Sequence, residues 1–317
     1  MQPRRMLLIL LLLFILAASA FLFLNLTPAN AGYHLPKRAI KLLALCVTGI
    51  AIALSTTVFQ TISGNTILTP SILGLDSLYL LVQTIIVFLF GSGGLLLMSK
   101  NSEYLLSVGV MVLFSTALFS LLLGKHQLGL SMVLLMGMMF GQLFSALASF
   151  FQILIDPNEF LTVQARMFAS FTMVNTNLLA VSTLIVGILS LVLGSLLPVL
   201  DVLALGRDIA TNLGVPYQRF SRIFLMIVSL LVAVSTALVG PVTFLGLLVV
   251  SLARQLIKSH HHNLLFPTSI LLSMTALVFG QLLVERLFNF STPISVIING
   301  IGGMYFLFLL LSKRRTS

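Results

Sequence analysis

Acid is the scarcest chemistry in this chain. Seven Asp and Glu residues stand against seventeen Lys and Arg in 317 residues. Ion-coupled carriers usually place several carboxylates inside the bilayer, and here only Asp76 falls where it would lie there, which counts against that class. A single cysteine, Cys46, sits in an apolar run. It can form no internal disulfide and offers no metal constellation, so it is read as packing. The chain contains no G-x-x-x-x-G-K-[ST], H-E-x-x-H, C-x-x-C or G-x-S-x-G string. That removes the phosphate-cradling loop, the zinc-protease helix, the redox pair and the nucleophile elbow. No catalytic residue, metal ligand or bound cofactor is assigned. Any energy the protein uses must come from a partner.

What the chain has instead is hydrocarbon. Hydrophobic residues make up 59% of it and charged ones 8%, with a mean hydropathy of +1.16. No soluble core needs so much apolar surface, so the solvent is lipid. Without water to satisfy backbone groups, spans must be helices or a closed barrel, and these runs are too long and too little alternating for barrel strands. The expected fold is an all-α polytopic membrane protein, one domain over residues 1–317. Ten transmembrane helices are predicted near 6–24, 39–60, 72–91, 105–123, 128–150, 177–198, 220–239, 242–257, 266–284 and 293–311. The string TPANAG after the first run resembles a cleavage site. The run from Met6 to Leu24 is nineteen residues long, however, above the ~7–15 of a signal core, and is read as an uncleaved helix. The net charge of +10 points to cytoplasmic loops and anionic headgroups, not nucleic acid. Starting inside, ten spans put eleven basic residues on the cytoplasmic side and six outside. Both termini are then cytoplasmic.

Between two apolar spans lies the longest polar interruption of the second half, Leu200 to Phe220. Asp201, Arg207, Asp208, Arg219 and Arg222 charge it and its margin. Gly206 and Gly214 are expected to break it into two short helical pieces, and Pro216 to open the next helix. On the basic side of a membrane such a segment is a surface for a soluble partner. Two further irregular stretches, Gly64 to Asp76 and Gly240 to Gly246, interrupt the spans. Each lines a pathway or is a tight turn. His34 to Arg38 forms a basic cluster on the outer side, either an anchor for the second helix or a docking patch for an acidic external partner. Arg286 falls on the same side, to pair with Glu285 or to join that patch. Ala51, Ser55 and Thr56 are read as helix packing, and Met136, Met138 and Met139 as core filling. His260, His261 and His262 beside Lys258 are read as a solvated, basic helix end.

Three strings together carry a resemblance. Leu203 to Val215 reads L-x-L-G-x-x-x-A-x-x-L-G-V. Gly240 to Leu247 reads G-P-x-x-F-x-G-L. Phe59 to Gly74 reads F-Q-x-x-x-x-N-x-[IL]-x-x-P-x-[IL]-L-G. In this order they are similar to signatures of the FecCD-type permeases, which import iron-siderophores, haem and cobalamin through ABC transporters. The resemblance covers essentially the whole chain. It implies a type II importer permease in the bacterial cytoplasmic membrane. The implied partners are a second permease across a central path, two ATP-binding subunits that hydrolyse the ATP, and an external siderophore-binding protein.

Residue by residue, the resemblance makes Leu203, Leu205, Gly206, Arg207, Asp208, Ala210, Leu213, Gly214 and Val215 the ATPase-coupling loop. It puts Asn65, Pro70, Gly74, Gly240, Pro241, Phe244 and Gly246 along the translocation path. The family's outer R-x-P-R element falls on His34, Pro36 and Lys37 with Arg38 adjacent, so its charge is kept in part, and a late arginine falls on Arg286. Where the family commonly continues V-P-H-I-A-R, this chain reads Val249-Val250-Ser251-Leu252-Ala253-Arg254. With IDPNEF at Ile155 to Phe160 and LLVERLFNFST at Leu282 to Thr292, that departure resembles the subgroup serving catecholate-type siderophores such as petrobactin, vibriobactin or anguibactin. Members of that subgroup often pair as heterodimers. A haem or cobalamin permease is the alternative within the family, and an ion-coupled carrier the alternative outside it.

Overall fold

A computed structural model describes residues 3–24, 26, 31–97, 99–121, 130–172, 174–257, 259, 261–290 and 292–313. Of the expected cytoplasmic charges, Lys125, Lys258, Arg314 and Arg315 lie outside the described residues, as do His260 and the side chains of Arg4 and Lys313. The order is α1 (Pro3–Phe23), α2 (Ala31–Ser63), a 3-10 turn (Pro70–Leu73), α3 (Leu75–Leu97), α4 (Lys100–Phe119), α5 (Leu130–Leu154) and α6 (Pro157–Arg166). It continues with α7 (Thr176–Ser195), α8 (Leu197–Leu203), α9 (Arg207–Asn212), α10 (Tyr217–Val239), α11 (Leu245–Ile257), α12 (His262–Arg286) and α13 (Ile294–Lys313). The described residues contain no strand. Among the described residues, seven helices (α1, α2, α4, α5, α7, α10 and α12) are long and apolar enough to cross a bilayer, and three shorter apolar helices cover Leu75–Gly91, Leu245–Ile257 and Ile294–Leu307. Each expected span overlaps one of these.

The boundaries differ where the sequence carries local signals. α2 begins at Ala31, so the basic cluster at 34–38 lies on its first turns, with Pro36 inside the helix. The third span starts at Leu75, because Pro70–Leu73 forms its own 3-10 turn closed by Gly74 at φ 76. It bends at Gly91, φ 66. One helix was not anticipated. α6 is capped by Asp156, whose side chain accepts from the Asn158 N–H at 2.8 Å, with Pro157 at its first position, a strong start signal. Its last residue, Arg166, pairs with Glu103 in the first turn of α4. Glu103 is 8% exposed and sits in a span-length helix. This buried carboxylate, at the start of α4, is thus paired with a cation 63 positions away.

α2 is the centre of the molecule. Every residue from Ala53 to Ile62 is buried, and α1, α7, α10, α11 and α12 all pack against it. Lipid tails are as apolar as leucine, so helices associate in a bilayer by close fit and hydrogen bonds. α2 supplies both. A Cβ on Gly246 of α11 would stand 2.0 Å from Thr56 Oγ1, so that helix meets α2 through a glycine. The Thr57 hydroxyl donates to its own Ala53 carbonyl at 2.7 Å and lies 3.3 Å from Ser269 Oγ on α12.

A second close approach pins the first break. A Cβ on Gly74 would lie 2.7 Å from Gly141 Cα, and one on Gly137 would lie 3.0 Å from Leu73 Cα. The string Gly137-Met-Met-Phe-Gly141 thus brings the α5 backbone directly onto the turn that opens α3, the small-xxx-small packing of membrane helices. Gly141→Leu should cost about 1–3 kcal/mol through overpacking, read as faster loss of monodisperse protein on heating in detergent. Gly187→Ala, with nothing within 4 Å of the new methyl, should leave that curve in place.

Candidate functional site

The polar segment between α7 and α10 is built as two short helices. α8 follows α7 after the single residue Leu196 and is held by Leu200 and Leu203, 0% and 1% exposed. Gly206 then takes φ 94 and ψ 169, a region open essentially to glycine, and α9 starts. Its end is a Schellman motif. The Gly214 N–H donates to Thr211 O and the Val215 N–H to Ala210 O, each at 3.0 Å, with Gly214 at φ 83 in the left-handed position that favours glycine. The G-V at the end of the L-G-x-x-x-A-x-x-L-G-V string is thus a helix stop, and its alanine, Ala210, is buried.

The nine residues of this string divide by role. Leu203 and Ala210 fix the segment to the membrane helices, while Gly206, Gly214 and Val215 shape it. Arg207 and Asp208 are exposed. Leu205, Ile209 and Leu213, four residues apart, are 53%, 50% and 60% exposed. Three large apolar side chains thus stand outside the spans on the most polar part of the chain. Beside them a cavity of about 570 Å³ is lined by Arg207, Tyr217, Arg219 and Arg222.

The expectation that the three histidines form a solvated helix end fails at His262. His261 is exposed, but His262 is 1% exposed. Asp201 of α8 accepts from its backbone N–H at 3.1 Å, capping the first turn of α12 from another element, and its carboxylate meets ring Nδ1 at 2.5 Å. Ring Nε2 lies 2.8 Å from Thr61 Oγ1 on α2. Burial alone pushes the Asp201 carboxyl up, but hydrogen bonds from the His262 ring and backbone, with the charge of His262 and His261, hold it below its ordinary 3.8. No spacing rule marks a third consecutive histidine as buried, and only the tertiary structure shows it.

At the opposite end, His34, Lys37, Arg38 and Arg286 come together around one cavity of about 530 Å³, with Lys41, Glu285, Thr172 and Phe290. Two of the four hold structure. Arg38 Nη1 donates to the Leu22 and Leu24 carbonyls, each at 2.9 Å, and Arg286 Nη2 donates to Leu24 O at 2.9 Å. Both guanidinium groups therefore cap the carbonyl end of α1, where cations are favoured. Arg286 does not pair with its neighbour Glu285. That carboxylate takes Lys41 at 3.1 Å and the Gln281 amide at 3.0 Å. Lys37 reaches only Tyr33, one turn earlier, and His34 is exposed.

The two breaks also converge. Pro70 and Gly240 line one cavity of about 20 Å³ together with Asp76 and the hydroxyls of Ser55, Thr56, Ser71, Ser235 and Thr236. That space suits a single water, whereas ligand pockets run to ~300–1,000 Å³. The remaining path candidates are packed or capped. Asn65 Oδ1 accepts from the Ile67 N–H at 3.0 Å in an exposed turn after α2. Pro241 is buried, and a Cβ on Gly240 would lie 3.0 Å from Phe168 O. The Phe244 N–H donates to Asn299 Oδ1 of α13 at 3.3 Å, and Gly246 already lies within α11. Gly240 also lines a larger cavity of about 470 Å³, together with Tyr79, Gln83, Glu103 and Arg166.

Residues 6–312 match the FecCD transport family. The chain belongs to that family. The petrobactin import system permease protein YclO of Bacillus subtilis is 49% identical over 302 residues, covering 95% of each chain. The petrobactin import system permease protein FatC of Bacillus anthracis is 33% identical, covering 92% of this chain and 83% of its own. Among solved structures, a chain described as a metal-chelate type ABC transporter in an inward-facing conformation superposes with a TM-score of 0.84 at 25% identity. That match covers 98% of this chain and 99% of the other. This protein is a multi-pass membrane permease, helical and without strands over its described residues.

The lowered Asp201 value fixes a pH dependence. A carboxylate depressed on folding stabilises above its unfolded value, and that contribution is lost as pH falls through the folded one. Thermal stability should therefore drop as the pH is taken from 6 to below 3.8, the ordinary value, and Asp201→Asn should flatten part of that drop. Valine at Gly214 should cost about 1–3 kcal/mol by forcing a β-branched residue to positive φ, measurable in the same melts at neutral pH.

Proposed function

We propose that this chain is a transmembrane permease subunit of an ABC importer that carries an iron(III)-siderophore of the petrobactin type across the bacterial cytoplasmic membrane. The observation that carries the reading is its identity with the YclO petrobactin permease, 49% over 95% of both chains. In this reading the seven long and three shorter apolar helices make ten spans with both termini cytoplasmic. A second permease, in this reading a different one, completes the path across a central interface. The chelate brings its own iron ligands, so the permease needs none.

Two ATP-binding subunits dock on the coupling loops of the permease pair, here on the α8–α9 segment, and hydrolyse the ATP. Its exposed Leu205, Ile209 and Leu213 are supported as the docking face because apolar side chains beyond the spans have no lipid to cover them. An external siderophore-binding protein docks on the basic cavity at the other end, with His34 and Lys37, which contact only the neighbouring Tyr33 among the described residues, as its contacts. Arg38 and Arg286 contribute field while holding α1.

Co-purification of the tagged chain in mild detergent, followed by uptake of radiolabelled ferric petrobactin in a strain lacking the gene, tests the whole. Recovery of an ATPase and a second permease, with restored uptake, is the expected result. Haem or cobalamin uptake in its place would redirect the substrate, and uptake by the chain alone would overturn the importer. Lys37→Glu should weaken binding-protein affinity about three- to tenfold at low salt, and less at high salt. It makes a cleaner test than reversing Arg38 or Arg286, which would also uncap α1.

A further inference from the structure

Asp201, His262 and Thr61 have no part in docking or passage, yet they form one continuous chain of hydrogen bonds between the α8–α9 segment and the centre of the membrane domain. The chain runs from the Asp201 carboxylate through the His262 ring to the Thr61 hydroxyl, and Thr61 Oγ1 in turn lies 2.9 Å from its own Thr57 carbonyl. We propose that Asp201, His262 and Thr61 are positioning residues that carry displacement of the α8–α9 segment into α2. The proposal rests on the importer reading above.

Three features of the contact favour transmission over mere attachment. The apolar anchors of α8, Leu200 and Leu203, resist separation but not sliding, because burial is non-directional. Hydrogen bonds weaken steeply with angle, so the Asp201–His262–Thr61 chain fixes direction as well as distance. The chain also lands on the last turns of α2, the helix that α10, α11 and α12 share. One residue on, the Tyr217 hydroxyl at the start of α10 donates to Ile62 O at 3.3 Å. Both margins of the polar segment thus grip the same end of the same buried helix.

The hydrogen inventory makes the chain robust. Thr61 has one hydroxyl hydrogen. When that hydrogen goes to the Thr57 carbonyl, His262 Nε2 supplies the hydrogen between ring and hydroxyl, and the ring is an imidazolium facing a carboxylate. When it goes to Nε2, the ring is neutral and Nδ1 still donates to Asp201. The connection survives either protonation state. The other charged groups nearby, His261 at 3.7 Å from Asp201 Oδ2 and Arg254 of α11, do not bridge the three residues.

The test uses the assembled importer reconstituted in proteoliposomes, scored as ferric petrobactin transported per ATP hydrolysed. His262→Asn places an amide near Nδ1 and keeps the Asp201 half. His262→Gln reaches toward Thr61 and keeps the other half. Thr61→Val removes the hydroxyl, and Thr61→Ser retains it. The first three should lower transport per ATP by about fivefold or more with ATPase subunits still bound and hydrolysing, while Thr61→Ser stays near the unmodified ratio. Combining Thr61→Val with His262→Asn should add nothing to either alone, because both cut one connection. An unchanged ratio in all variants overturns the proposal, as does parallel loss of transport, hydrolysis and subunit assembly. If no ATPase assembles with the unmodified chain, the importer reading itself fails.

Discussion

The enclosed second half of α2 governs this protein. From Ala53 to Ile62 α2 is enclosed on all sides, a placement that costs nothing in hydrophobic terms inside a bilayer and gains nothing either. What holds it is fit, with Ala53 and Ser55 beside Leu54 and Phe59 on the enclosed helix, and with hydroxyls bonded back to the helix itself. Thr57, Thr61 and Ser55 all return a hydrogen bond to their own helix. A helix so enclosed cannot shift without its neighbours. The surrounding helices therefore respond as a body to anything that pushes on the end of α2, which suits a machine whose two working faces lie at opposite ends of its spans.

Those faces differ in how their charges are used. At the end of the spans that carries His34 and Lys37, two of the four candidate cations are consumed by the carbonyls of α1, and a third nearby, Lys41, by Glu285. Their field still extends outward, but their hydrogen-bonding capacity is partly committed. At the other end the commitment is reversed. The polar groups that hold the segment, Asp201 and His262, lie behind it. What it presents outward is apolar side chains and unpinned charge. The first arrangement suits steering of a partner that arrives and leaves, the second a partner that stays.

How much of this was legible in sequence depended on how local its cause was. The spans were legible because hydropathy over a helix length is a local property, and each expected segment falls on an apolar helix. Gly206 and Gly214 were legible because positive φ needs glycine wherever the chain goes. The match of the three strings to the family identified the protein class. α6 carried its own start signal in Asp156-Pro157, but its short length and polar composition concealed it between two spans. The Gly137–Gly141 approach was equally visible as a spacing and went unread among the methionines. Nothing local marks the rest. His262 looks like its neighbours, and Glu285 takes a lysine 244 positions away in preference to the arginine beside it. Glu103 needs a partner on a helix that was not foreseen. Such pairings exist only once the helices are assembled.

The two arginines on α1 bear on how the chain is made. α1 precedes α12 in the chain, yet it packs most extensively on it, and one of the groups that closes its carbonyl end, Arg286, is 262 residues away. During synthesis the helix must wait in lipid with that end unfinished while most of the protein follows. Its hydropathy of 3.0, the highest of the seven long spans, is what such a wait demands. A helix this apolar is compatible with lipid on every face until α12 follows.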